Sequence, residues 1–260
     1  MALFEAAALK KNFGGLQAVQ SFDFRMNNGE IVGLIGPNGS GKTTIFNVVT
    51  GIFRASGGSI SFDEGRHELV GRPSHIITAL GIARTFQNQR LFNQMTVLEN
   101  VLVGRHCRTR AGLTGVLLAL PQARAEKRRS QAEAAELLAL FGDRLLPRAG
   151  ELAMSLSYAN RRRLEIARAL ATTPRLLLLD EPAAGMNPTE TRELMGDILG
   201  IRDRGIAILV IEHDMRLVRG ICDRVVALDH GVKIAEGDFE SVRSHPAVLE
   251  AYLGRRAAHA

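Results

Sequence analysis

The amino-acid sequence predicts an α/β fold in which helices cover both faces of a parallel sheet and a helical subdomain interrupts that sheet. Short apolar runs of strand length alternate with helical patterns near the start of the chain and again from Leu176 onward. Residues from about 96 to 172 are instead rich in Ala, Leu and Arg, with helical periodicity. A glycine-rich loop follows one of the apolar runs. Strand–helix alternation is typical of parallel sheets, and the helical block between the two halves indicates an insertion.

The first part of the chain predicts strands around a single helix. Alternating apolar residues indicate a half-buried strand, a continuous apolar run indicates a buried strand, and glycine after a helical pattern indicates a helix end. These elements are a strand containing Phe22, Phe24 and Met26, a buried strand Ile31–Ile35, a helix from Thr43 to Thr50 that Gly51 caps, and a hairpin strand Ser59–Phe62.

Gln131–Phe141 is the clearest helix of the middle block, because it contains no β-branched residue. Further along, strands and helices alternate again. The predicted strands are Leu176–Leu179, Ile206–Ile211 and Arg224–Leu228, and the predicted helices are Thr189–Leu199, Met215–Ile221 and Pro246–Tyr252. We therefore predict a single domain over residues 1–260. Its core comprises about 1–90 and 173–254, its helical subdomain about 91–172, and its frayed tail 255–260.

The composition is that of an ordinary globular protein, with 46% hydrophobic and 23% charged residues. It excludes a disordered chain, a collagen-like chain and a disulfide-stapled miniprotein. Cys107 and Cys222 form no CxxC pair, so we expect reduced, buried thiols in a cytosolic protein. No apolar run approaches the roughly 18 residues of a membrane-spanning helix. Glu5 lies within the first apolar stretch, so we expect no secretory signal and membrane contact only through a partner.

The chain carries a net charge of +6, with basic clusters at Arg105–Arg110, Arg124–Arg129 and Arg161–Arg163. We interpret these clusters first as solvated helix faces and as sites of anion chemistry. Attraction to nucleic acid or to an anionic membrane surface is the alternative. No aromatic residues interleave with the clusters, which argues against base stacking, and we predict no nucleic-acid partner.

A phosphate-binding loop lies between the predicted buried strand and the first helix. Its sequence, Gly36-Pro-Asn-Gly-Ser-Gly-Lys-Thr43, fits the pattern G-x-x-x-x-G-K-[ST] in the structural context that the pattern requires. Backbone N–H groups of such a loop and the following helix N-terminus hold phosphate oxygens, the lysine reaches the β- and γ-phosphates, and the hydroxyl ligates magnesium. The residues predicted to bind ATP here are Gly36, Asn38, Gly39, Ser40, Gly41, Lys42, Thr43 and Thr44.

Two later strands end in polar residues that suit hydrolysis. Asp180 and Glu181 follow the apolar run that begins at Leu176 and point differently, because side chains alternate along a strand. We predict that Asp180 binds magnesium through a water and that Glu181 is the general base for the attacking water. His213 follows the strand Ile206–Ile211, at the sheet edge where ligands bind, and is predicted to contact the γ-phosphate or that water.

The segment Leu156-Ser-Tyr-Ala-Asn160, followed by a helical pattern, resembles the signature motif of ABC transporter ATPases, which usually reads Leu-Ser-Gly-Gly-Gln. Gln87 is similar to the Q-loop glutamine of that family, Asn187 to the D-loop asparagine and His213 to the switch histidine. Phe13 lies where the family places an adenine-stacking aromatic residue. The resemblance implies ATP and Mg²⁺ as ligands, with the metal near Thr43, Gln87 and Asp180. It also implies a P-loop NTPase core with a mixed, mainly parallel sheet, an antiparallel β subdomain and an inserted helical subdomain.

The resemblance further implies that two such domains pair head to tail around two ATP molecules. Each ATP would lie between one subunit's phosphate loop and the signature residues of the other, here Ser157, Tyr158, Ala159 and Asn160. Dimer closure would drive permease subunits whose cytoplasmic helices seat near Gln87. Because alanine replaces a family glycine at Ala159, we expect its methyl group to hold the helix away from the partner's γ-phosphate and to weaken the partner's site. The alternative is that Tyr158 and Asn160 reshape the loop and that Ala159 fits without strain.

Several stretches are similar to the ATPases of branched-chain amino-acid importers: Arg84–Phe92, Met95–Asn100, Glu181–Pro188, Ile211–Met215, Arg105–Gln122 and Ala251–Gly254. This similarity implies a second ATPase subunit, identical or different, together with permease subunits and indirectly a periplasmic binding protein. It implies a peripheral location at the cytoplasmic face of the bacterial inner membrane. Relatives also move urea, amides and aromatic acids.

Two other functions remain open from the sequence. One is the ATPase of a lipid or lipopolysaccharide exporter, against which the helical-segment match and Arg84–Phe92 argue. The other is a non-transport ABC ATPase that acts on DNA or ribosomes. Too few residues separate Lys42 from Ser157 for the long coiled coil of DNA-repair relatives, and we expect no second ATPase domain of the kind that ribosome-acting relatives carry.

Overall fold

The computed structural model describes residues 2–108 and 121–253. The expected frayed tail 255–260 lies outside the described residues, as does most of the segment Arg105–Gln122. Within these residues one sheet of ten strands forms. Its strands are β1 (Phe4–Phe13), β2 (Leu16–Met26), β3 (Ile31–Ile35), β4 (Gly57–Phe62), β5 (His67–Glu68), β6 (Ile82–Arg84), β7 (Leu176–Asp180), β8 (Ala207–Ile211), β9 (Arg224–Asp229) and β10 (Val232–Gly237).

The strand order is β5-β4-β1-β2-β10-β9-β3-β8-β7-β6, and the sheet has two parts. β9, β3, β8, β7 and β6 pair in parallel, with β3 between β8 and β9. β1 pairs antiparallel with both β2 and β4, and β10 pairs antiparallel with β9. The predicted mixed sheet with an antiparallel β portion is confirmed.

Nine helices are described around this sheet. They are α1 (Lys42–Val49), α2 (Ser74–Leu80), α3 (Val97–Arg105), α4 (Pro121–Ala139), α5 (Tyr158–Leu170), α6 (Pro188–Arg202), α7 (Met215–Ile221), α8 (Phe239–Arg243) and α9 (Pro246–Leu253). Short 3₁₀ turns occupy His106–Arg108, Gly142–Arg144, Leu146–Arg148 and Ala153–Ser155. Across the described part of the chain, every helix is too short or too polar to cross a bilayer.

β7 shows how the parallel strands separate two cores. Leu176 and Leu178 belong to the core formed with α1 and the antiparallel strands, whereas Leu177 and Leu179 belong to the core under the inserted helices. This alternation is the period-2 geometry of a strand that is buried on both faces. Asp180 is the next residue on the face of Leu176 and Leu178, so its carboxyl group lies on the side of α1.

The sequence analysis missed β1, β5, β6, β10, α2 and α8. β1 lacks clean alternation because its pairing with β2 contains register shifts, and Ala8 has a φ of 47°. β10 is partly exposed over most of its length, so its apolar pattern is weak. The predicted helix Gln131–Phe141 begins earlier, at Pro121, and ends at Ala139. The proposed subdomain limits near residues 91 and 172 stay a prediction.

Two expectations about polar residues are wrong. Cys107 is exposed rather than buried, because it lies in a surface 3₁₀ turn after α3, whereas burial raises the pKa of Cys222 to about 12. Arg162 and Arg163 are not a solvated face, because both side chains are buried. Arg163 donates to Asp197 at 2.8 Å and thereby ties α5 to α6.

Candidate active site

The phosphate-binding loop follows β3 and ends where α1 begins. Gly36 has a φ of 149°, and a Cβ atom there would lie 2.2 Å from the carbonyl oxygen of Leu228. Gly41 has a φ of 105°, and a Cβ atom there would lie 2.6 Å from the carbonyl oxygen of Ala18. Both positions therefore exclude any other residue. The loop leads into the N-terminus of α1, where the first backbone N–H groups have no partner within the helix and favour an anion.

Lys42 is a buried cation held inside this loop. Its Nζ donates to the carbonyl oxygens of Gly36 at 2.7 Å and Pro37 at 2.9 Å, and to Ser40 Oγ at 3.3 Å. Burial lowers the pKa of Lys42, and the nearby carboxylates of Glu181 and Asp180 oppose that shift. Because these partners are neutral acceptors, the positive charge remains available to phosphate oxygens.

A cavity of about 770 Å³ opens beside the loop, a size typical of small-molecule sites. It brings together most of the residues predicted from the sequence: Phe13, Asn38, Gly39, Ser40, Gly41, Lys42, Thr43, Thr44, Gln87, Glu181 and His213. The walls also include residues that sequence reasoning missed, among them Gln20 and His230. Gln20 Nε2, on β2, donates to the carbonyl oxygen of His230, in the turn after β9, at 2.9 Å, and no local sequence signal marks this contact.

Phe13 lies at the rim of the cavity, at the end of β1. Its side chain is among the exposed large apolar groups, at 41%. Phe53 meets the ring edge-on with centroids 5.2 Å apart, and Lys11 Nζ lies 4.6 Å from the ring centroid. The exposed part of the ring leaves surface available for stacking.

Glu181 contacts two other residues of the predicted site, Gln87 and His213. One carboxylate oxygen accepts from Gln87 Nε2 at 3.0 Å, and the other lies 3.2 Å from His213 Nε2. Its backbone has a φ of 48° and donates its N–H to Ile211 at 2.9 Å. Such a conformation is costly for a non-glycine residue and persists where the surroundings impose it. The strand ends of β7 and β8 therefore aim Glu181 and His213 at the same space.

Glu212 is a buried carboxylate that holds these two strand ends together, and sequence reasoning gave it no role. It accepts from the backbone N–H of Ala183 at 2.8 Å and from that of His213 at 2.9 Å. Burial raises the pKa of Glu212, whereas these hydrogen bonds lower it. The one available signal was its place between an apolar strand and the predicted histidine.

Asp180 does not line the cavity. Its carboxylate accepts from Arg84 at 2.8 Å, and both side chains are almost fully buried. Arg84 also donates to Asn47 at 2.7 Å, and its guanidinium lies 4.9 Å from the ring centroid of Phe86. Arg84 thus balances the buried charge of Asp180, a role that sequence reasoning missed although Arg84 stands three positions before Gln87.

The donor types at this site fit a magnesium ion carried by phosphates. Thr43 offers a hydroxyl, and Gln87 uses its amide nitrogen toward Glu181, which leaves its carbonyl oxygen as a ligand. Mg²⁺ prefers oxygen ligands and usually takes one or two from the protein, with phosphates and waters completing its shell. Among the described residues, no cluster of three or more His, Cys, Asp or Glu side chains could hold a metal ion.

The predicted signature residues form a separate surface. Ser157 caps α5 and accepts the N–H of Asn160 at 3.4 Å, and Ser157 and Tyr158 are exposed. Ala159 is only 3% exposed. Its methyl group therefore packs inside its own chain, which contradicts the expectation that it holds α5 away from a partner's phosphate. None of these residues lines the cavity.

Asn187 caps its own helix, whereas the Q-loop segment is hydrogen-bonded to the signature helix. Asn187 is exposed and caps α6 by accepting the N–H groups of Thr189 at 2.9 Å and Glu190 at 3.0 Å. Arg162, on the signature helix, donates to the carbonyl oxygens of Phe86 at 2.7 Å and Gln87 at 2.5 Å. α5 is therefore hydrogen-bonded to the segment that carries Gln87 into the cavity.

Comparison with known proteins gives consistent matches over the whole chain. Residues 19–184 match the family model described as ABC transporter, and residues 232–258 match that described as branched-chain amino acid ATP-binding cassette transporter. The high-affinity branched-chain amino acid transport ATP-binding protein LivG of Salmonella typhimurium is 46% identical over 255 residues, covering 97% of this chain and 98% of the relative. BraF of Pseudomonas aeruginosa, which carries the same description, is 42% identical over 97% of this chain and 98% of its own length.

Solved structures agree with these matches. A nucleotide-free ATP-binding cassette from an ABC transporter superposes with a TM-score of 0.84 at 30% identity, covering 98% of this chain and 100% of that structure. The ADP conformation of an ATP-binding cassette of an ABC transporter gives a TM-score of 0.84 at 31% identity, with the same coverage.

Proposed function

This chain belongs to the ABC transporter family of ATP-binding proteins, and we propose that it is the ATP-hydrolysing subunit of an importer for branched-chain or related amino acids. The observation that carries the chemistry is the cavity in which Lys42, Gln87, Glu181 and His213 meet. The cargo rests on the near full-length similarity to LivG and BraF and on the C-terminal match. The same relatives favour the importer over a lipid exporter or a DNA- or ribosome-acting ATPase.

ATP binding uses two ends of the cavity. Phe13 stacks on the adenine, and the loop N–H groups and Lys42 hold the phosphates. Thr43 and Gln87 would hold magnesium, with Asp180 acting through a water. The metal would neutralise charge that develops on the phosphate oxygens. Gly36 does not line the cavity, so its part is to shape the loop.

Hydrolysis uses the group around Glu181. Its carboxylate accepts a proton from water as the water oxygen bonds to the γ-phosphorus and the bond to the β-phosphate oxygen breaks, which gives ADP and phosphate. Gln87 and His213 each contact a different oxygen of Glu181 and so restrain the carboxylate. His213 also contacts the γ-phosphate or the attacking water.

A second ATPase subunit completes the site. We propose that the exposed Ser157 and Tyr158, together with Asn160 and the N–H groups at the start of α5, face the γ-phosphate bound by the partner subunit. Asn187 lies at the same interface. Permease subunits contact the region near Gln87, a periplasmic binding protein delivers cargo to them, and the assembly places this chain at the cytoplasmic face of the inner membrane.

A transport assay tests the function and its cargo separately. A bacterial strain that lacks its branched-chain ATPase subunit but carries the cognate permeases and binding protein receives either this chain or Lys42→Ala. We expect the wild-type chain to restore uptake of radiolabelled leucine. Lys42→Ala should not restore it, because this variant loses a charge that faces the phosphates. If purified wild-type chain hydrolyses ATP but the strain imports no leucine, isoleucine or valine, the cargo assignment is wrong. Absence of ATP hydrolysis in the assembled transporter would refute the ATPase itself.

A further inference from the structure

Tyr252, on the last described helix, reaches the phosphate loop. The backbone N–H of Gly36 donates to its hydroxyl at 2.8 Å, although the two residues are 216 positions apart. Tyr252 does not line the cavity to which the nucleotide is assigned. The function proposed above leaves this contact without a role.

Gly36 is held from three directions. Its N–H is bonded to Tyr252, and its own carbonyl oxygen accepts from Lys42 Nζ at 2.7 Å. On its third side the carbonyl of Leu228 approaches so closely that no Cβ fits. The two peptide planes that flank Gly36 are thus fixed by one contact each, and the second contact involves the cation that serves the phosphates.

The position of Tyr252 is set by packing at the end of β3. Val248 lies one turn before Tyr252 on α9 and is buried in a cluster with Ile35, the residue that precedes Gly36. Residues four apart share a helix face, so the face that buries Val248 also presents the ring of Tyr252 to the loop. Burial raises the pKa of the Tyr252 phenol, and the hydrogen bond from the Gly36 N–H opposes that shift.

We infer that Tyr252 is a positioning residue for ATP binding, whose hydroxyl holds the Gly36 end of the phosphate loop in the conformation that places Lys42 against the phosphates. The inference rests on ATP binding at this loop, as proposed above. It gives α9 a part in nucleotide affinity rather than in packing alone. Because Tyr252 acts on the ground-state shape of the loop, its loss affects binding more than the chemical step.

Tyr252→Phe is the deciding variant, because it removes one hydroxyl and keeps the ring. ATP affinity is measured by calorimetry on the full chain, with KM and kcat determined in the assembled transporter. A net hydrogen bond corresponds to a change of about threefold to tenfold, so we expect Kd and KM for ATP to rise by that factor while kcat changes less than about twofold. The melting temperature without nucleotide should stay close to that of the wild type.

Leu253→Ala is the matched control, since Leu253 is the adjacent residue of α9 and is 60% exposed. It should bind ATP as the wild type does. The inference is overturned if Tyr252→Phe binds ATP with wild-type affinity, if its loss falls on kcat alone, or if Leu253→Ala loses as much affinity. A wild-type chain that binds no ATP would overturn the proposed function as well, so the two failures are distinguishable.

Discussion

The phosphate cavity and the signature surface at the start of α5 differ in whether their side chains line a cavity of this chain. At the phosphate cavity, Lys42 and Glu181 have hydrogen-bond partners within the chain and line the same space. At the start of α5, Ser157 and Tyr158 are exposed and do not line that cavity. One surface is thus arranged to act on a ligand, whereas the other supplies a helix N-terminus to something outside the chain. A head-to-tail pair of subunits would place the second surface over the first.

The largest expected effect tests whether the cavity carries the chemistry. Glu181→Gln should lower ATP hydrolysis by about 100- to 10,000-fold, because an amide cannot take up the water's proton. ATP binding should persist, and the ATP-bound dimer should accumulate. Steady-state phosphate release and size-exclusion chromatography with ATP measure the two effects. Glu64→Gln, at an exposed position away from the cavity, is the control. Near wild-type hydrolysis in Glu181→Gln would remove Glu181 from the base role.

Arg84 tests how far the cavity depends on a buried ion pair. Arg84→Met leaves the Asp180 carboxylate buried without its partner and should lower the free energy of unfolding by about 3–5 kcal/mol. Urea denaturation measures the change. Arg25→Met, which breaks the exposed pair with Glu5, should change it little because water screens that pair. Equal effects of the two variants would show that the Arg84–Asp180 pair contributes no more than a surface pair.

The local patterns of the sequence were sufficient for the framework of the cavity. β3 has the predicted bounds, and β7 and β8 each differ by one residue, because buried parallel strands are continuous apolar runs between polar ends. Most of the predicted ATP-site residues line the cavity, because the carboxyl ends of these strands meet at one edge of the sheet, whereas Gly36 and Asp180 lie outside its wall. Long-range pairing was beyond such patterns: Arg84 meets Asp180 across 96 positions, and Tyr252 meets Gly36 across 216. The sequence around Arg84 does not indicate that it pairs with Asp180, and the sequence around Tyr252 does not indicate that it contacts Gly36.

Phe13 tests the adenine end of the cavity. Phe13→Ala should weaken ATP binding by about 1–3 kcal/mol, the range found when an aromatic residue that stacks on a base is replaced by alanine. kcat should stay near the wild-type value, because the ring is remote from Glu181 in its proposed role. Calorimetry with ATP measures the loss, and Phe92→Ala, at a comparably exposed ring outside the cavity, is the control. A variant that loses thermal stability but keeps its ATP affinity would make Phe13 a packing residue.

The smallest expected effect lies on the signature surface, at Ala159. Its methyl group is buried within its own chain, so glycine removes packing and adds backbone freedom without clearing space for a partner's phosphate. Ala159→Gly should therefore lower the free energy of unfolding by about 1 kcal/mol and give no faster hydrolysis. Ala167→Gly, at a buried position farther along α5, should lower the free energy of unfolding by a similar amount. It is the control for the effect of a glycine within α5 that lies away from the signature residues.

Measurements on the assembled transporter distinguish this prediction from the steric expectation, in which the Ala159 methyl group restricts contact with the partner's phosphate. Steady-state hydrolysis is measured with the partner subunit's catalytic glutamate either intact or changed to glutamine. If Ala159→Gly is faster than both the wild type and Ala167→Gly only while the partner's site is intact, the methyl group does restrict contact across the dimer despite its burial. A gain in hydrolysis rate that survives when the partner's site is silenced would instead mean that the signature surface acts on the ATP bound by its own chain. The signature surface and the phosphate cavity would then not be separate. Unchanged rates in both backgrounds, with the loss of stability, are the result that the buried methyl group predicts.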